Sequence, residues 1–186
     1  MPRSLSRPEP RSVKQFKAEE LYQHAVKLLA RRGRSRAELS RLLAARAADA
    51  ASLEPVLARL AEHGYLDDKR FAEGLARFQH DQEKFGAQRA ARELRRRGLA
   101  EPVANAALRQ VYRPRDEASL LAAYLRKKRL TAPGDPRAAA RLFRRLRLAG
   151  FTSPAICDCL RRWRLDSEWI EAIAESAEEN PEEEEG

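Results

Sequence analysis

Glycine is scarce in this chain, with eight in 186 residues, methionine occurs once and aromatic residues make up 6%. Val and Ile are sparse, which argues against a buried sheet. There are two cysteines, Cys157 and Cys159. Two cannot build a disulfide framework, and their spacing is too short for an ordinary bridge within a helix. On a helix they would point about 200° apart. They are expected to be small core or boundary residues, which suits a reducing cytoplasm. His24, His63 and His80 do not cluster in the sequence, so neither a zinc site nor any other cofactor is expected. No run of about 18 apolar residues occurs, so no membrane span is expected. The N-terminus has bases but no apolar segment, so it does not read as a signal peptide. Acid clusters at metal-site spacing, phosphate-cradling Gly loops and nucleophile–base pairs are also missing, which argues against an enzyme.

What is there in quantity is Ala, Leu, Arg and Glu, residues that favour helix. The expected fold class is all-α. The net charge is +9 and the pI about 10.1. The charge is unevenly spread: residues 166–186 hold ten acids and no Lys or Arg, leaving eighteen acids against all 37 bases, a net +19, in residues 1–165. Such a body attracts polyanions, and nucleic acid is the leading class of partner.

Residues 1–16 mix Pro, Ser and Arg without periodicity and read as a flexible basic arm. Residues 176–186 read as a disordered acidic tail. Between them the apolar spacing predicts successive helices. Leu21, Ala25, Leu28 and Leu29 form the first stripe. Ser35 and Glu38 have the capping-box spacing, followed by Leu39, Leu42 and Leu43. Ala-rich residues 44–51 read as a loop or frayed end, and a third helix with Val56, Leu57 and Leu60 stops at His63-Gly64. Asp67 or Asp68 caps a fourth helix with Phe71, Leu75 and Phe78. The fifth runs from Gly86 to Gly98, and the sixth carries Val103, Ala104 and Leu108. The seventh holds Leu120, Leu121, Tyr124 and Leu125, and the eighth Leu142, Phe143 and Leu146. The ninth starts near Ser153, read as its cap, with Pro154 next, and Trp163 and Trp169 are placed against a final short helix.

A repeat runs through this order. At a spacing of 52, Leu42, Leu94 and Leu146 fall in register, as do Leu39, Ala91 and Phe143, and Arg46, Gly98 and Gly150. Gly98–Pro102 matches Gly150–Pro154. The chain therefore reads as a tandem array of three three-helix units at 17–66, 67–112 and 113–165, with a short helix and acidic tail over 166–186. The repeat also places charge: Arg89, Arg92 and Arg95 match Arg141, Arg144 and Arg147. Arg89, Arg92 and Arg96 share one helix face, and Arg126, Lys127, Lys128 and Arg129 add a further basic cluster. These residues form the candidate basic binding face.

The segment Gly64-Tyr65-Leu66-Asp67-Asp68-Lys69-Arg70-Phe71-Ala72 resembles the signature of the RecX family of recombination regulators. Gly86, Arg89, Glu93, Leu94, Arg97 and Gly98 resemble its second motif, and the Ser35–Glu38–Leu39 start also fits, so the likeness covers roughly residues 18–165. Ala90 stands where the family usually has Ile, and Arg46 replaces a usual Gly. The resemblance implies an elongated, curved helical array that binds the RecA recombinase and its filament on single-stranded DNA. It implies inhibition of filament growth, ATPase, strand exchange and coprotease activity in homologous recombination and the SOS response. It also implies direct contact with single-stranded DNA in some members. A cytoplasmic monomer is expected. The residues of the first signature read as mainly structural: a turn at Gly64, burial of Tyr65 and Leu66, capping at Asp67 or Asp68, and packing of Phe71.

The rival reading is a DNA-binding protein that acts without RecA, non-specific or of helix-turn-helix type, with the Arg89–Arg97 helix in the major groove. The Arg run suits phosphates better than base edges, which disfavours sequence-specific reading.

Overall fold

The computed structural model describes residues 15–179. Ten α-helices follow one another: α1 Ala18–Arg31, α2 Arg36–Ala44, α3 Leu53–Glu62, α4 Asp68–Arg77, α5 Ala87–Arg96, α6 Glu101–Val111, α7 Glu117–Lys127, α8 Pro136–Leu148, α9 Ser153–Arg162 and α10 Ser167–Glu179. The protein is all-α. The one β-type pairing among the described residues is an isolated bridge between Phe16 and Ala47. The helices divide into two compact units, up to Asp67 and from Asp68 onward.

In the first unit, α1 packs on α2 and α3. Leu21, Leu39, Leu43, Leu57 and Leu60 are fully buried at the centre. The capping box expected at α2 is present. Ser35 Oγ accepts from the Glu38 amide at 3.1 Å, and the Glu38 carboxylate accepts from the Ser35 amide at 3.2 Å. Ser35 is fully buried, and this cap satisfies an amide of the first turn away from water.

Two expectations change here, and a third is made more definite. Phe16, assigned to the flexible arm, is pinned instead: its amide donates to Arg46 O at 2.7 Å and its carbonyl accepts from the Ala48 amide at 2.9 Å. Residues 1–14 of that arm lie outside the described residues. The Ala-rich stretch after α2 is a loop, one of the two forms expected, which receives Phe16 and leads into a short 3₁₀ turn at Ala50–Ser52. Leu42 is 40% exposed while Leu39 and Leu43 are buried. The helix turns its i and i+4 positions to the core, so the equivalent of Leu94 is Leu43, and the spacing between the first two repeats is 51.

The second unit holds two apolar clusters. Ala72 and Ala76 of α4, Leu94 of α5, and Ala104 and Ala107 of α6 form one. The small alanines let α4 and α6 approach closely. Phe143, Phe151, Leu121, Leu146, Ile156 and Leu160 form the other, closed over by Ile170 of α10. Helix α10 runs to Glu179, so the start of the stretch read as an acidic tail is helical, and residues 180–186 lie outside the described residues. Asp135 caps α8 by accepting from the Ala138 amide at 2.7 Å. The cap of α9 is Thr152, not Ser153: its hydroxyl accepts from the Ala155 amide at 3.4 Å, and Pro154 falls at the second helical position.

Helix ends repeat one device. After α3, α5, α7, α8 and α9 the chain passes through a left-handed residue, respectively Gly64, Gly98, Arg129, Gly150 and Arg164. The next residue then donates its amide back five positions, as in Leu99 to Leu94 O and Phe151 to Leu146 O. This is the Schellman closure, which satisfies the last carbonyls of the helix.

Candidate functional site

Glycine 86 and Gly150 explain how the second motif is built. The Gly86 amide donates to Ala149 O at 2.8 Å and the Gln88 amide to Gly150 O at 3.2 Å. The free amides at the start of α5 thus meet the free carbonyls at the end of α8. Each end satisfies the other, and the two helix dipoles attract. A Cβ on Gly86 would lie 2.1 Å from Gly150 O, and one on Gly150 would lie 2.3 Å from the Arg89 amide. No side chain fits at either position.

The candidate arginines divide according to this junction. Arg92 Nη2 donates to Leu148 O at 2.9 Å, and Arg89 Nη1 reaches the same carbonyl at 3.5 Å. The Arg89 guanidinium also lies 3.9 Å from the centre of the Phe85 ring. Both cations complement the negative end of α8. Arg96 and Arg97 both bind Glu93, at 2.8 and 2.7 Å. Burial opposes ionisation of Glu93, yet the hydrogen bonds from Arg97 and Arg96 hold its carboxyl below the usual range. Arg95 is exposed and makes no ion pair among the described residues.

Helix α8 is different. It carries Arg137, Arg141, Arg144, Arg145 and Arg147 and no acid. The first four are exposed and make no ion pair or side-chain hydrogen bond among the described residues, whereas Arg147 is half-buried. Arg137 and Arg145, which the repeat alignment does not single out, extend the face formed by Arg141 and Arg144. Their i, i+4 and i+8 spacing with Arg141 is the signal that finds them. In the 126–129 cluster, Lys127 is tied to Gln82 O and lies 3.3 Å from Glu83, and Lys128 lies 5.9 Å from the Phe85 ring. Arg126 and Arg129 remain exposed.

The first signature spans the boundary of the two units. Leu66 is buried in the core of the first and Ala72 in that of the second, with Phe71 packed beside Ala72. Tyr65 departs from the expectation of burial: it is 52% exposed, with its ring 6.5 Å from that of His63. As the residue after a left-handed glycine, it has its backbone fixed by the bond to Leu60 O while its ring projects outward. Asp68 opens α4, and Asp67 and Arg70 flank it.

Among the described residues, no group of three or more His, Cys, Asp or Glu side chains converges as a metal site would. No helix there is long and apolar enough to cross a membrane. Fold and surface together define an all-helical protein that presents exposed cationic helix faces. A family model described as RecX, second three-helix domain, matches residues 67–108. The chain is 39% identical over 136 residues to a protein named regulatory protein RecX of Halorhodospira halophila, covering 71% of this chain and 81% of that one. It is 38% identical over 132 residues to the protein of the same name in Pseudomonas putida strain KT2440, covering 68% and 80%. A crystal structure of a regulatory protein RecX superposes with a TM-score of 0.66 at 20% identity, over 78% of this chain and 71% of that one. The crystal structure of RecX from Lactobacillus salivarius does so at 0.52 and 16% identity, over 87% and 96%. The chain belongs to the RecX family of regulatory proteins.

Proposed function

We propose that this protein binds the RecA recombinase and its filament on single-stranded DNA. It would thereby restrain filament growth and, with it, the ATPase, strand exchange and coprotease activities of recombination and the SOS response. The observation that carries this reading is the 39% identity to a regulatory protein RecX over most of both chains. Charge supports it. Arg95, Arg137, Arg141, Arg144 and Arg145 are exposed cations that no described residue engages. Arg126 and Arg129 are exposed in the same way. In this reading α8 supplies the main binding face, Arg89 and Arg92 support it through the α5–α8 junction, and Arg96 stands on α5 paired with Glu93. The organisation into three three-helix units at 17–66, 67–112 and 113–165 is part of the proposal, and three separate apolar clusters support it.

The test is the double variant Arg141→Glu/Arg144→Glu, assayed for inhibition of filament assembly by RecA on single-stranded DNA. Both side chains are exposed, so folding is expected to be intact while inhibition is lost. Full inhibition by a folded double variant would remove α8 from the site. If the variant lost affinity for bare DNA but still inhibited RecA, the face would serve DNA alone.

A further inference from the structure

Helices α7 and α9 pack against each other, and between them lies an open trough of about 650 Å³ within the second unit. Its floor is aliphatic: Ala118, Leu121, Ala122 and Leu125 of α7, with Ala155 of α9. Alanines at these positions leave the hollow, because a longer side chain would fill it. Arg115, Arg126, Arg129 and Arg162 stand around it. None of these four makes an ion pair or side-chain hydrogen bond among the described residues. Two carboxylates also line the trough. Glu117 accepts from the Thr152 amide and hydroxyl, both at 2.8 Å, and Asp158 pairs with Arg161 at 2.9 Å. The trough is thus an apolar floor inside a rim in which four arginines outnumber two carboxylates, Glu117 and Asp158.

We propose that this trough is a docking site for an acidic amphipathic helix of a partner protein. The floor asks for aliphatic side chains on one face and the rim for carboxylates beside them, the helix-in-groove mode of recognition. The length agrees: α7 has 11 residues, so its flank accommodates about three turns of a bound helix. The chemistry disfavours single-stranded nucleic acid, which is held by a series of aromatic platforms under its bases. Here Trp163, at the end of the trough, is the one aromatic side chain among its lining residues. It disfavours a purely acidic segment as well, since glutamates alone would leave the exposed methyl of Ala118 and the half-buried Ala122 and Ala155 uncovered.

Trp163 supplies the readout, because replacing the second tryptophan with Trp169→Phe in the full chain leaves it alone. Four probes are titrated: a capped helical peptide of about 14 residues with Leu along one face and Glu elsewhere, its Gln-for-Glu counterpart, an oligoglutamate of equal charge, and oligo(dT). The expected result is saturable binding of the Glu/Leu peptide alone, weakened about ten-fold by Arg126→Gln/Arg162→Gln. It should also be abolished by Ala122→Glu, which places a carboxylate on the floor. The two Arg→Gln changes lie on exposed side chains, so the test survives if Ala122→Glu fails to fold. Equal binding of the Gln peptide, equal binding of oligoglutamate, preference for oligo(dT), or no binding at all would each overturn the proposal.

Discussion

Three left-handed glycines look alike in the sequence and differ in their surroundings. Gly64 has φ +73° and open space where a Cβ would stand, whereas Gly150 has φ +92° and backbone atoms of α5 there. Gly64→Ala should therefore cost only the left-handed penalty, about 1 kcal/mol. Gly150→Ala should cost about 3 kcal/mol or more, because the Cβ also forces the α5–α8 bonds apart. Urea denaturation of both variants checks this, and equal losses would refute the close approach. The pH dependence is also set at this scale. Glu93 titrates below its ordinary value of 4.5, held by Arg97 and Arg96. A depressed folded-state pKa stabilises fully above the unfolded value and is lost as pH falls through the folded one. Stability should therefore decline below about pH 4.5, and Glu93→Gln should flatten that part of the curve in chemical denaturation at a series of pH values. Such differences are legible in the sequence only in part. Gly64, Gly98 and Gly150 announce helix ends, but Arg129 and Arg164 adopt the same left-handed geometry with no signal in their residue type.

Elements carry the next level. Periodicity identified the helices because each buries an apolar face. It misplaced Leu42 because two adjacent leucines satisfy the same spacing until the core selects one. It missed the Thr152 cap because Ser153-Pro154 offers an equally good local signal, and what decides is Glu117, 35 residues away, which holds Thr152. Thr152→Val removes both the cap and a partner of Glu117, and should destabilise by about 2 kcal/mol in thermal or urea unfolding. The arginine stripes were legible as charge but not as roles. Arg89 and Arg92 match Arg141 and Arg144 in the repeat, yet they face a helix end whose position the sequence does not reveal. Arg92→Ala should therefore lower the melting temperature, whereas Arg141→Ala should leave it unchanged and reduce the salt dependence of DNA binding by about one phosphate contact. A thermal shift assay paired with a salt titration separates the two.

At the scale of the whole molecule, the sequence shows an acidic segment after a body of net +19. The fold class and family were legible because helix-forming composition, capping residues and two motifs agree with one another. The apolar trough was not, because its alanines read as ordinary helix filler until two helices lie side by side. The central claim is that this protein acts on filaments and does not merely cover DNA. The direct measurement is the DNA-stimulated ATPase of RecA on long single-stranded DNA, with this protein added well below one copy per RecA. Strong inhibition at that ratio is the expected result, since so few copies cannot mask the strand. Inhibition only at amounts that saturate the DNA, or its disappearance with excess competitor DNA, would contradict the account and leave simple competition for DNA in its place.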